Sequence, residues 1–84
     1  MPTATRILPD ASREIDITGE VCPMTFVRTK LQLERMAPGE ILGVRLNPGE
    51  PLNNVPRAAA EHGHEVLDNT PLGDGTYRLL IRRR

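Results

Sequence analysis

Proline and glycine fall in clusters that cut this chain into short lengths: Ala37-Pro38-Gly39, the run NPGEP at residues 47–51, and Gly73-Asp74-Gly75. Proline cannot continue a helix and glycine permits the turn that follows, so no regular element runs through these points. Between them the hydrophobic period switches back and forth. Residues 14–18, EIDIT, alternate apolar and polar and read as a short strand closed by Gly19. From Pro23 the period becomes helical, with Phe26, Thr29, Leu33, Met36 and Ala37 on one side and Arg28, Gln32 and Arg35 opposite. Residues 40–47 alternate again, placing Leu42, Val44 and Leu46 on one face and Ile41, Gly43 and Arg45 on the other.

After the NPGEP turn, Leu52, Val55, Ala58, Ala59 and His62 predict a second helix. Pro56 is tolerable only in a first turn, which puts the start near Asn54 and the end at Gly63. Residues 64–69 and 76–83 read as two further strands, joined by a hairpin at Gly73-Asp74-Gly75. The order is strand, helix, strand, helix, strand, strand. Two helices on one face of a four-stranded mixed sheet is the simplest α/β (α+β) architecture that buries every apolar face in this list. Residues 1–13 lack periodicity and read as a flexible leader, leaving residues 14–84 as the folded domain.

With 84 residues, the chain supports one modest core, and with Phe26 and Tyr77 as its only aromatics that core is aliphatic. Eleven basic residues balance eleven acidic ones, so no overall field draws the chain to nucleic acid or an anionic membrane. No stretch approaches a membrane span, and the first residues lack the apolar segment of a secretory signal, which predicts a cytoplasmic protein. Residues 82–84, all arginine, form the one basic run and read as the charged protection of a solvated strand edge.

One cysteine excludes an internal disulfide. Cys22 stands directly before Pro23 at the mouth of the first helix, with Cys22 as the cap and Pro23 in the first turn, where its missing N–H costs nothing. Unpaired amides and the positive end of the helix dipole favour a thiolate, the nucleophilic form, at that point. Arg28 and Lys30 lie roughly 9 and 12 Å along the axis, too far to bond the sulfur but suited to docking a partner. Met24, Val27 and Leu31 form a second apolar stripe beside the first. A wider buried face is the simpler account of that stripe; a partner-docking surface including Met24 and Leu31 is the sharper one. The competing account of Cys22 is a small buried hydrophobe. His62 and His64 with one distant cysteine do not make a zinc set, and a cysteine-protease arrangement lacks a histidine placed against Cys22.

The run Cys22-Pro23-Met24-Thr25, followed by Lys30, Leu33 and MAPGEIL, resembles the TusA/SirA-like family of small sulfur-carrier proteins, as do VPRAAAEHGHEVL and GTYRLLIRR further on. The likeness runs from about Ile15 to Arg83. It implies a two-layer sandwich of the order given above, no cofactor, and a cysteine, here Cys22, that carries sulfur as a persulfide. It also implies a donor of the cysteine desulfurase or rhodanese type and an acceptor protein, in routes such as tRNA thiolation, molybdenum cofactor maturation or sulfur oxidation. The family's second proline is replaced by Thr25, which restores an amide able to point at the Cys22 sulfur. Its acidic positions near the second helix are Asn47 and Asn54 here. Two other classes compete with a carrier. One is a non-catalytic interaction module built on the Met24, Val27, Leu31 stripe, and the other, disfavoured by neutral charge and missing aromatics, is an RNA-binding module using the terminal arginines.

Overall fold

The computed structural model describes residues 11–21 and 24–84. The elements follow in the expected order: β1 (Arg13–Asp16), α1 (Met24–Glu34), β2 (Ile41–Leu46), α2 (Glu50–Glu61), β3 (Glu65–Pro71) and β4 (Tyr77–Arg82). The strands form one sheet in the order β1-β2-β4-β3, with β1 parallel to β2 and the other two pairings antiparallel. The chain joins the sheet at Ser12, whose N–H donates to the Ile41 carbonyl at 2.6 Å. The leader expected over residues 1–13 lies, for residues 1–10, outside the described residues.

Alternation decides which side of the sheet is covered. Leu42, Val44 and Leu46 on β2 stand level with Ile81, Leu79 and Tyr77 on β4, and Ile15 on β1 is level with Val44. These side chains meet Leu33 and Met36 from the α1 segment and Val55 and Ala59 from α2, making an aliphatic core with both helices on one face. Burying each of its large side chains stabilises the fold by about 1.5–3 kcal/mol.

The uncovered face carries Glu14, Gly43, Arg45, Arg78 and Arg82. Gly43 is buried there, and a Cβ on it would come within 2.9 Å of Glu14 Oε1 and 3.2 Å of the Ala11 Cβ. The missing side chain lets the Glu14 carboxylate cross β2 and pair with Arg78 on β4.

Four expectations are corrected. α2 begins at Glu50, four residues before Asn54, so Pro56 lies inside the helix. Packing of Leu52, Val55 and Ala59 against the core outweighs the backbone hydrogen bond that Pro56 cannot make. On α1 the core side consists of Thr25, Thr29 and Leu33, with Phe26 only half-buried against the His62 ring at 5.2 Å and Ala37 exposed. The Met24, Val27, Leu31 stripe is not a wider buried face: all three are exposed.

The terminal arginines do not protect an edge, since β4 lies inside the sheet. Arg82 pairs with Glu65, and Arg83 Nε donates to the Leu33 carbonyl at 2.6 Å, closing the end of α1. The Arg84 N–H donates to His64 Nδ1 at 3.2 Å.

Candidate functional site

Beyond β1 the chain makes a closely tied loop toward α1. Ile17, buried in the core, donates its N–H to the Arg45 carbonyl at 2.9 Å. Thr18 turns back, giving both its N–H and its hydroxyl to Asp16 Oδ1 at 2.9 and 2.6 Å. Asn47 Nδ2 donates to the Thr18 carbonyl at 2.8 Å, and the Glu20 N–H donates to the Ile17 carbonyl at 3.0 Å. Arg28 on α1 reaches back to Glu20 Oε2 at 2.8 Å, and the Met24 N–H donates to the Val21 carbonyl at 2.7 Å. Both sides of the Cys22-Pro23 dipeptide are therefore held in place. Cys22 and Pro23, with the expected cap geometry, lie outside the described residues.

A charged clamp ties the same loop to the β3–β4 hairpin. Arg45 pairs with Asp16 at 3.6 Å and with Asp74, while its Nε donates to Thr76 Oγ1 at 3.1 Å. Asp74 repeats the turn of Asp16, accepting the Thr76 N–H at 3.0 Å and its hydroxyl. The Thr18 hydroxyl and N–H hold the Asp16 carboxyl below the usual carboxylate range, with Arg45 adding to the effect, and Thr76 and Arg45 do the same for Asp74.

The outward side of α1 is apolar. Met24, Val27 and Leu31 are 42%, 37% and 48% exposed, and Val21, just before Cys22, is 75% exposed. Spaced i, i+3 and i+7, the helical three line one exposed stripe. Arg28 flanks it while bound to Glu20, and Lys30 lies 3.8 Å from Glu34. Thr25, expected to support the helix start, is fully buried on the opposite side.

Sequence inspection passed over Glu20, Asn47 as a tether, Val21 and the clamp. The clamp had a visible signal, since Asp16-Ile17-Thr18 and Asp74-Gly75-Thr76 share an Asp-x-Thr spacing. Among the described residues no group of three or more His, Cys, Asp and Glu is placed to hold a metal ion, and no helix is long and apolar enough to cross a membrane.

Residues 13–83 match the family described as Sulfurtransferase TusA. A candidate sulfur carrier protein of Archaeoglobus fulgidus is 43% identical over 75 residues, covering 89% of this chain and 85% of its own length. One of Thermotoga maritima is 35% identical over 84% of this chain and 90% of its own, and the Escherichia coli candidate carrier YedF is 38% identical over 92% and 96%. In fold, the SirA-like protein of Desulfitobacterium hafniense superposes with a TM-score of 0.75 at 22% identity, over 83% of this chain and 95% of that one. By the match across nearly all of its sheet and both helices, this chain belongs to the TusA family.

Proposed function

We propose that this chain is a sulfur carrier that accepts sulfane sulfur on Cys22 as a persulfide and passes it to an acceptor protein. The observation that carries this reading is the family match over residues 13–83, within which Cys22 is the one cysteine. The Cys22 thiolate attacks the terminal sulfur of a donor persulfide; a new sulfur–sulfur bond forms, the donor's breaks, and the donor cysteine leaves as a thiolate. An acceptor thiolate then attacks the terminal sulfur on Cys22, which leaves as a thiolate in turn. Neither step needs an external oxidant or reductant, because sulfane sulfur only changes its thiol. A donor of the cysteine desulfurase or rhodanese type fits this chemistry, in the cytoplasm where persulfides are exchanged between proteins.

The exposed Met24, Val27, Leu31 stripe and the Arg28 and Lys30 side chains beside it support docking of a protein next to Cys22. The same stripe favours the second reading, a module that binds a partner without carrying sulfur. Intact mass spectrometry separates the two. The protein is incubated with a cysteine desulfurase and cysteine, or with a rhodanese and thiosulfate, beside Cys22→Ser. A carrier gains about 32 Da per sulfur atom, the gain is removed by a reductant, and the variant shows none. No gain with either donor, together with retained partner binding by Cys22→Ser, leaves the interaction module.

A further inference from the structure

Asp16 and Asp74 lie far apart in sequence and make the same turn. Each carboxylate uses Oδ1 to accept the N–H and the hydroxyl of the threonine two residues on, Thr18 and Thr76. Each keeps Oδ2 for the same guanidinium. Arg45 reaches Asp16 Oδ2 with Nη1 at 3.6 Å and Asp74 Oδ2 with Nη2, while its Nε donates to Thr76 Oγ1 at 3.1 Å. All three nitrogens of one rigid fork are thus engaged across two turns. Stability is a poor reason for the arrangement: the Arg45, Asp16 and Asp74 side chains are 44%, 52% and 49% exposed, and ion pairs so open to water add little to folding. What a fork held at both ends does fix is relative position.

Strand register shows which parts are fixed. Asp16 stands level with Arg45, Leu46 with Tyr77 and Tyr77 with Pro71, so the β1–α1 loop and the β3–β4 hairpin leave the sheet at one end. The hairpin is the firmer of the two, because it opens β4, an inner strand paired on both sides. Asp16 opens the loop, whose next ties are the Asn47 amide to the Thr18 carbonyl and the Glu20 N–H to the Ile17 carbonyl. We propose that Arg45 is a positioning residue for sulfur transfer: braced on Asp74 and Thr76, it holds Asp16 and so fixes the course of residues 17–21, the approach to α1. The brace itself concerns only residues 16–21, 45 and 74–76, and its effect on transfer rests on the carrier reading.

The test compares wild type with Arg45→Gln, Asp74→Asn and the double variant by residue-resolved hydrogen exchange, with melting temperatures alongside. Asp74→Asn keeps an Oδ1 for the Thr76 turn and removes the charge that braces Arg45. Each single variant should speed exchange at the Thr18 and Glu20 amides about threefold to tenfold, and the double variant should go no further than Arg45→Gln alone. A response at Glu20 to a change in the distant hairpin is what a purely local role of Asp74 would not produce. Sulfur loading from a cysteine desulfurase and cysteine is then followed by intact mass. At saturating donor its rate should fall about threefold or more in Arg45→Gln, with the half-saturating donor concentration within about twofold of wild type, because position and not docking is lost. Unchanged exchange at Thr18 and Glu20 overturns the brace, and faster exchange with unaltered loading overturns its role in transfer. If Arg45→Gln does not fold, Asp74→Asn alone carries both comparisons. Exchange needs no sulfur donor, so the two proposals fail separately: a wild-type chain that never loads sulfur loses the carrier reading, and with it the role in transfer, while the brace is still decided at the two amides.

Discussion

Gly43 and Asn47 each matter for what their side chain is. With no Cβ, Gly43 leaves room for Glu14 to cross β2 to Arg78. We expect Gly43→Val to lower stability in urea unfolding by about 1–2 kcal/mol, as overpacking does, and to lose much of that cost in a Glu14→Ala background. An equal cost in both backgrounds would show that Glu14 is not the obstacle. Asn47 sits where the family resemblance implies an acid, yet its amide donates to the Thr18 carbonyl. An aspartate would turn a carboxylate oxygen toward that carbonyl, so Asn47→Asp should speed hydrogen exchange at the Glu20 amide, which closes the same loop. Unchanged exchange would remove Asn47 from the set of tethers. Neither role was legible in the sequence, because both depend on which strand lies beside which.

The helices show where local pattern is sufficient and where it is not. The apolar period located α1 and α2, but the rule that proline belongs in a first turn displaced the start of α2, since burial of Val55 and Ala59 overrides the local cost of Pro56. Pro56→Ala restores a donor for the Leu52 carbonyl and should raise stability by about 1–2 kcal/mol, the helix-interior cost less the flexibility gained by the unfolded chain; a loss would mean that the proline ring itself is needed in packing. The period of α1 also revealed a second apolar stripe without showing which way it faces, because a single helix cannot tell the sheet from solvent. Leu31 faces solvent, so Leu31→Asp should leave the melting temperature within about 2 °C while weakening binding of a sulfur-donor protein by about tenfold or more, measured by titration calorimetry. Binding at wild-type strength would separate the stripe from docking.

Across the whole molecule, the strand order explains both the residues that surprised and the response to acid. With β4 between β2 and β3, the terminal arginines become internal ties: Arg83 closes α1, and the Arg84 N–H donates to His64 Nδ1. A charge run is legible as solvated until the strand that carries it is placed. Partial burial lowers the His64 pKa from the usual 6.5, with Arg83, His62 and Arg84 acting in the same direction. The folded chain therefore holds this proton less tightly than the unfolded chain, and its contribution to stability, complete above pH 6.5, is lost as the pH falls below that value. Asp16 and Asp74 are lowered from 3.8 and remain ionised when folded, so their contributions persist through the same interval and are lost only in stronger acid. Two acid steps follow. Melting temperature should fall between pH 7.5 and 5.5 and again below about pH 4. His64→Asn, which keeps an acceptor for the Arg84 N–H but cannot titrate, should abolish the first step alone, and Arg45→Gln should diminish the second. A first step that persists in His64→Asn would assign it to another group, and a protein more stable at pH 5.5 than at 7.5 would contradict the direction of the His64 shift.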